Sequence, residues 1–219
     1  MCAEAAKQES FTARLKVRQL GLADYAIVVK AMQDFTAQRD SSTQDEIWFV
    51  EHAPVFTLGL NSKSEHLLNT GDIPVIQSDR GGQVTYHGPG QLVMYVLLDI
   101  KRLGISVQQL VHYLEAIVIK WLSTYAVIAE ARADAPGVYV KGAKLASLGL
   151  RIKHGCSYHG LSLNIDMDTE PFSRINPCGL ADTPVCQLTD LGIHVSTTEA
   201  AQGLQAHLVE ILGYTVEPD

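Results

Sequence analysis

The chain has 219 residues, of which 47% are hydrophobic and 19% are charged, and its formal net charge is −7. This composition is typical of a globular protein and excludes disordered, collagen-like and coiled-coil chains. Because proteins that bind nucleic acid usually concentrate positive charge against phosphates, the acidic balance also argues against a nucleic-acid partner.

The first half of the chain predicts one helix and three strands. Residues 22–39 carry apolar side chains at helical spacing, which is typical of an amphipathic helix. Two runs rich in β-branched and aromatic residues, 46–51 and 55–60, predict strands on either side of a short turn. The continuous apolar run 92–98 follows a glycine-rich stretch and predicts a buried central strand.

The next part of the chain predicts a second helix and a hairpin. Apolar residues hold one face from 107 to 121, and Ser106 and Gln109 have the spacing of a capping box at its start. Residues 143–153 and 157–165 then predict two strands, joined by a short turn as in a hairpin.

The last predicted element is a helix over residues 197–212. Ser196 and Glu199 have capping-box spacing at its start, and Gly213 provides the stop. Helices and strands alternate without a strict βαβ rhythm and without a linker-like segment. The sequence therefore predicts an α/β (α+β) fold, in which residues 1–219 form a single domain with a mixed β-sheet flanked by helices.

The start of the chain and its cysteines indicate a compartment. No apolar run approaches the ~18 residues that span a bilayer, and the first residues lack a basic region followed by an apolar one. The cysteines are scattered without zinc-site spacing, at Cys2, Cys156, Cys178 and Cys186. We therefore expect a cytoplasmic protein with free thiols, no metal and no membrane partner.

Residues 80–91 form a glycine-rich stretch before the predicted central strand. Its glycines allow close approach of the backbone to a ligand, while its arginine, glutamine, threonine, tyrosine and histidine supply directed polar groups. We interpret the stretch as the wall of a pocket, with an ordinary glycine-rich turn as the alternative. It matches neither the phosphate loop nor the dinucleotide fingerprint, so it gives nucleotide binding no support.

The interval from Ala135 to Ile165 contains four cations and neither Asp nor Glu, inside a chain that is acidic as a whole. The cations are Lys141, Lys144, Arg151 and Lys153. Such an interval predicts a positive face for an acidic partner. The alternative is a solvated hairpin whose lysines protect its edge from aggregation.

Cys178 stands between a proline and a glycine, within residues 174–180. This context predicts a turn on which a substrate could reach the sulfur, whereas most cysteines are small buried hydrophobic residues. We therefore treat Cys178 as a candidate nucleophile, and Cys156 and Cys186 as buried structural residues.

Three blocks together resemble a known family. They are RGGQVTYHGPGQLVMY, GAKLASLGLRIKHGCSYHGLSLNI and INPCGL. In order and spacing they are similar to the signature blocks of the octanoyl-acyl-carrier-protein:protein octanoyltransferases, also called lipoate-protein ligase B, and the resemblance extends over residues 46–192. It implies the fold of the catalytic domain of biotin and lipoate ligases. It also implies an ATP-independent acyltransferase that moves an octanoyl group from acyl carrier protein to a lysine on a lipoyl domain.

The resemblance further implies the residues of the site. The catalytic pair of the family matches Cys178 and Lys144. The acyl-binding stretches of the family match Arg80, Gly81, Gly82, Gln83, Val84, Thr85, Tyr86, His87, Ser147, Leu148, Gly149, Gly160, Leu161 and Ser162. Neither a cofactor nor a metal is implied.

The same resemblance implies protein partners. Acyl carrier protein would be the octanoyl donor, and the acceptors would be the lipoyl domains of 2-oxoacid dehydrogenase complexes and the glycine cleavage H protein. Because acyl carrier proteins are acidic, Lys141, Arg151 and Lys153 become candidates for docking the donor.

The predicted pair could form and resolve a thioester. A thiol of ordinary pKa is only slightly ionised at neutral pH, so Cys178 needs a nearby cation or base. Lys144 could serve as an ammonium that favours the thiolate or as a neutral amine that accepts the thiol proton, and the sequence leaves both open. The oxyanion donors also stay open, between backbone N–H groups near the pair and either His87 or His159.

Three other functions remain open on the residues alone. An ATP-dependent lipoate or biotin ligase on the same fold would not need Cys178. A carrier-binding protein would keep the pocket without turnover. A cysteine hydrolase would use Cys178 with His87 or His159 and release free octanoate.

Overall fold

The structure is a computed structural model that describes residues 14–176 and 184–217. Its strands and helices along the chain are β1 Arg14–Ala23, α1 Tyr25–Gln38, β2 Asp45–His52, β3 Val55–Leu58, β4 Val75–Gln77, β5 Val84–His87, β6 Gln91–Leu97, α2 Val107–Ser123, β7 Glu130–Ala131, β8 Gly137–Val140, β9 Ala143–Lys153, β10 Cys156–Asn164, α3 Thr197–Leu212 and β11 Thr215–Val216. None of the described helices is long and apolar enough to cross a membrane.

The described strands form two sheets. The larger has eight strands in the order β11-β1-β2-β6-β10-β9-β8-β7. Its first two pairings are parallel, and every pairing from β2 onward is antiparallel. The smaller sheet has the order β4-β3-β5, with β3 parallel to β4 and antiparallel to β5. The predicted mixed sheet flanked by helices is therefore confirmed.

The large sheet is covered on both faces. Successive residues of β2 and β6 point to opposite sides, and both sides are apolar. On one side Phe49 and Met94 pack with α2 and α3. On the other side Trp48 and Tyr95 pack with Met32 of α1. Burial on both faces explains why β6 is a continuous apolar run in the sequence.

The first predicted helix starts later than expected. It begins at Tyr25 because the Asp24 side chain accepts the backbone N–H of Ile27 at 3.0 Å and caps the helix there. The preceding residues belong to β1, which the sequence analysis missed. The alternation of β1 is interrupted by a register shift between Gln19 and Leu22, so its pattern does not show the period of a regular strand.

The remaining predictions agree closely with the structure. Helices α2 and α3 each begin with the predicted capping box, and α3 has the predicted bounds. Strand β9 also has the predicted bounds, whereas β10 begins one residue earlier than predicted. The reason is a two-residue turn, in which His154 and Gly155 both have positive φ angles of 54° and 85°. This turn leaves Cys156 paired with Lys153.

Two of the cysteines can be placed. Cys156 and Cys186 are buried free thiols, as predicted. Burial raises the pKa of the Cys186 thiol to about 11, which makes it a poor nucleophile. Cys2 and Cys178 lie outside the described residues.

Candidate active site

A cavity of about 640 Å³ lies between strands of the large sheet and the glycine-rich stretch. We call its lining residues from β6, β9 and β10 the strand wall, and residues 80–87 the loop wall. The residues singled out from the sequence that line it are Arg80, Gly81, Gly82, Gln83, Val84, Thr85, His87, Lys144, Ser147, Leu148, Gly149, His159, Gly160, Leu161 and Ser162. Tyr86 does not line the cavity, because its ring packs on Phe56 and Phe172.

The strand wall is assembled by register. Ser147 of β9 pairs with Ser162 of β10, and Gly149 pairs with Gly160. A Cβ at Gly160 would collide with the carbonyl oxygen of Met94 on β6. This glycine is therefore required for the close approach of two backbones rather than for access by a ligand.

The loop wall is held by one buried arginine. The Arg80 guanidinium donates to the backbone oxygens of Thr57 at 2.8 Å, Gly81 at 3.0 Å and Gln83 at 2.6 Å. Its Nε also donates to the Thr57 hydroxyl at 3.1 Å. The loop is fixed to the strand wall by the Gly81 N–H, which donates to the Leu150 carbonyl at 2.9 Å. Arg80 thus ties the glycine-rich backbone to β3, and it lines the cavity.

Lys144 is the member of the predicted catalytic pair that the structure describes. It is 6% exposed, and its Nζ lies 5.3 Å from the centre of the Tyr139 ring, within the distance of a cation–π contact. Its backbone N–H donates to the Pro184 carbonyl at 2.7 Å, and its carbonyl accepts the Cys186 N–H at 3.0 Å. The described segment that begins at Pro184 is therefore hydrogen-bonded directly to the backbone of Lys144. Cys178 itself lies outside the described residues.

His87 stands at one end of a chain of side-chain hydrogen bonds. The Gln91 amide nitrogen donates to Asn164 at 2.9 Å, and Asn164 donates to the Cys186 carbonyl at 3.0 Å. The Gln91 oxygen, 2.6 Å from His87 Nδ1, is then the acceptor, so Nδ1 carries the proton. Burial, reinforced by repulsion from His52, lowers the pKa of His87 to about 3. The imidazole is neutral, with its Nε2 left as an acceptor.

Asp79, which the sequence analysis missed, lies beside His159 of the cavity lining. It accepts hydrogen bonds from His159 Nε2 at 2.9 Å, from the Tyr158 hydroxyl and from Gln33. These donors hold the pKa of Asp79 well below its usual range. Burial lowers the pKa of His159 despite the nearby carboxylate, and it raises the pKa of Tyr158 to about 12. The available signal was an acidic residue immediately before the glycine-rich stretch.

A third neutral histidine lies behind the cavity, and it too was missed. His52 Nδ1 donates to the Ala23 carbonyl at 2.9 Å, so its Nε2 accepts the hydroxyl proton of Tyr95 at 2.7 Å. Burial lowers the pKa of His52 and raises the pKa of Tyr95 well above its usual range. The Tyr25 ring stacks on His87 with the ring centres 5.7 Å apart. Tyr25 and Tyr95 line the cavity, so neutral aromatic groups form much of this part of its surface.

The structure separates the four cations of the basic interval. Lys144 is buried in the cavity, and Lys141 is exposed in the turn between β8 and β9. Arg151 and Lys153 are exposed at the opposite end of β9. Strand β9 has 11 residues and spans about 35 Å, so these cations do not form one continuous face.

Known proteins are similar to this chain in sequence and in fold. Residues 24–209 match the family model described as the lipoyl protein ligase A/B catalytic domain. The chain is 58% identical over 200 residues to an octanoyltransferase of Pseudomonas fluorescens, with 91% of this chain and 93% of that protein covered. It is 59% identical over 199 residues to an octanoyltransferase of Shewanella halifaxensis, with 91% of each covered. A crystal structure of lipoate-protein ligase A bound with ATP has a similar fold, with a TM-score of 0.77 at 15% identity over 95% of this chain and 88% of the ligase.

Proposed function

Because the chain belongs to the octanoyltransferases of the lipoyl protein ligase A/B catalytic-domain family, we propose that it carries an octanoyl group from acyl carrier protein to a lysine of a lipoyl domain. Octanoyl transfer to protein substrates in lipoylation is the activity of this family. The carrier donor, a thioester on Cys178 and the lipoyl domains of 2-oxoacid dehydrogenases and the H protein are the proposed details.

The placement of Lys144 carries the proposal. Its amine is buried in the cavity, and its backbone is hydrogen-bonded to Pro184, the first described residue after the stretch that contains Cys178. A cavity of about 640 Å³ has the volume of a small-molecule site. Burial of an eight-carbon chain there would contribute about 0.8 kcal/mol for each CH₂ group.

The proposed reaction has two acyl transfers. First the Cys178 thiolate attacks the donor thioester, the bond from the carbonyl carbon to the carrier sulfur breaks, and the carrier leaves as a thiol after taking up a proton. Then the acceptor amine attacks the Cys178 thioester, an amide forms as the bond from the carbonyl carbon to the Cys178 sulfur breaks, and the proton lost by the amine restores the thiol. Lys144 is the proposed proton carrier in both steps. An amide is more stable than a thioester, so the transfer runs forward without ATP.

The tautomers of His87 and His159 decide whether either ring can donate a hydrogen bond to the oxyanion. His87 Nδ1–H is engaged by Gln91, and its neutral Nε2 has no proton to donate. His159 Nε2–H is engaged by Asp79. Both arrangements favour backbone N–H groups over either histidine as donors to the oxyanion.

We also propose that residues 1–219 act as one catalytic domain in the cytoplasm. The family model spans residues 24–209, and most described strands belong to one sheet. The free thiols of Cys156 and Cys186 suit a reducing compartment.

An assay without ATP tests the proposed function. The protein is mixed with octanoyl-acyl carrier protein and an apo lipoyl domain, and the acceptor mass is measured. An octanoyl amide on the acceptor supports the proposal. Free octanoate instead indicates a hydrolase, transfer of free octanoate only after ATP is added indicates a ligase, and binding without any product indicates a carrier-binding protein.

The intact mass of the protein after exposure to donor alone tests the thioester. We expect one added octanoyl group in the native chain and in Cys156→Ala, which removes a buried thiol of the large sheet, and none in Cys178→Ala. Full turnover by Cys178→Ala would contradict the mechanism. Lys144→Ala should slow acylation of Cys178 by about a hundredfold, and an unchanged acylation rate would remove Lys144 from its role.

A further inference from the structure

The cavity continues around an unpaired edge of the large sheet. Strand β8 pairs with β9 only as far as Ser147, and no other described strand covers residues 148–153 on that side. The lining of the cavity includes Val107 and Val111 of α2, which packs on the opposite face of the sheet from the α1 side where Tyr95 lies. The cavity therefore reaches both faces of the large sheet, and it passes from one face to the other at the β9 edge that β8 leaves unpaired.

We call this part of the cavity the edge channel, and it combines apolar side chains with backbone amides. Its lining residues are Val107, Val111, Ala135, Pro136, Leu148 and Leu150. The Leu150 carbonyl points to this edge and is already bound there by the Gly81 N–H of the loop wall at 2.9 Å. Alternate residues of a strand present their N–H and C=O groups to the same edge, so the backbone groups of Leu148 and Ile152 face this edge on either side of the Gly81 contact. An extended chain that contains amide groups fits such a surface.

Exposed cations lie at the end of β9 where this unpaired edge stops. Arg151 and Lys153 follow Leu150 on β9, and the two are on the same face because they are two residues apart. The aliphatic stem of Lys101 lies against Gly155 in the adjoining hairpin turn. None of these three cations forms an ion pair within the described residues. We call Lys101, Arg151 and Lys153 the hairpin cation cluster.

We propose that the hairpin cation cluster docks the acidic acyl carrier protein, and that the carrier's amide-containing thioester arm lies in the edge channel with its thioester at Lys144. The proposal rests on the proposed function and adds the donor's surface and route. The strand from Leu150 back to Lys144 spans about 20 Å, so a carrier at the cluster reaches Lys144 only through an extended arm. The octanoyl chain then occupies the part of the cavity between the strand wall and the loop wall.

Charge reversal tests the docking surface. Arg151→Glu/Lys153→Glu should raise the KM for octanoyl-acyl carrier protein by about tenfold and flatten its dependence on salt. The same variant should change kcat/KM for octanoyl-N-acetylcysteamine, a small thioester without a carrier protein, by less than about twofold. The control Lys16→Glu/Lys30→Glu makes the same change in net charge at exposed residues elsewhere and should leave both donors within that range.

A second variant tests the route of the arm. Val111→Trp fills the edge channel and should lower kcat/KM for the carrier donor by about tenfold or more, with a smaller loss for the small thioester. The melting temperature of each variant separates this effect from unfolding. Unchanged kcat/KM with the carrier in a folded Val111→Trp protein would overturn the route.

Two results would overturn the docking surface while leaving the proposed function intact. One is an unchanged carrier KM in Arg151→Glu/Lys153→Glu, and the other is an equal rise in the control or with the small donor. If the native chain transfers an octanoyl group from neither donor, the proposed function fails, and the docking inference fails with it.

Discussion

The two walls of the cavity are built on different principles. The strand wall belongs to a sheet that is packed on both faces, so its residues are positioned by the same contacts that stabilise the core. The loop wall packs through Val84 and Tyr86 on a smaller apolar cluster, and the guanidinium of Arg80 fixes the glycine-rich part of its backbone by hydrogen bonds. Disruption of the strand wall should therefore cost more stability than disruption of the loop wall, and disruption of the loop wall should also change the shape of the cavity.

The largest effect is expected in the strand wall. Gly160→Val should lower the free energy of unfolding by about 4 kcal/mol or more, because its side chain has no space beside the Met94 carbonyl. Urea unfolding measures this loss. Gly104→Asn is the control, since Gly104 has a φ of 66°, which asparagine tolerates, and no neighbouring atom within 4 Å of an added Cβ. A Gly160→Val protein as stable as the control would contradict this account of the wall.

A smaller loss of stability is expected in the loop wall, together with a clear effect on activity. Arg80→Met removes the guanidinium donor from the backbone oxygens of Thr57, Gly81 and Gln83 and should cost about 3 kcal/mol. The KM for octanoyl donors should rise, and Arg80→Lys should not restore it, because an ammonium does not reproduce the planar fork of a guanidinium. Steady-state kinetics and urea unfolding give both quantities.

The control for this prediction is Arg14→Met. The Arg14 side chain is 75% exposed in its pairing with Glu217, so the free energy of unfolding should change by about 0.5 kcal/mol or less. A KM in Arg80→Met that equals the KM of Arg14→Met would show that the loop wall keeps its shape without the guanidinium.

The smallest effect is expected at His87, the last residue of the loop wall. Its folded pKa of about 3 is below the ordinary 6.5, so between these values the unfolded chain binds the extra proton. Stability is therefore present above pH 6.5 and is lost as the pH falls towards 3. From pH 7 to pH 5 the native chain should lose about 2 kcal/mol more than His87→Gln. Equal losses in urea unfolding at the two pH values would show that His87 titrates normally in the fold.

Local signals in the sequence were sufficient for much of the scaffold. The capping boxes at Ser106 and Ser196 and the helical spacing after them predicted the starts of α2 and α3. The continuous apolar run of β6 predicted a strand buried on both faces. Strand β1 was missed because the shift near Gly21 breaks its alternation, and β7 and β8 because strands of two and four residues carry too little pattern.

The amino-acid sequence by itself determined the fold class, most bounds of the three helices and five strands that it predicted, and the three blocks that mark the family, since each depends on residues close together in the chain. Only the tertiary structure revealed Asp79 beside His159, which is 80 positions away, and the bond from Gln91 to Asn164, which is 73 positions away. It also separated the four cations of the basic interval, which lie at opposite ends of β9 and in the cavity. Strand register and loop packing decide such contacts, and neither leaves a periodic signal in the residues that form them.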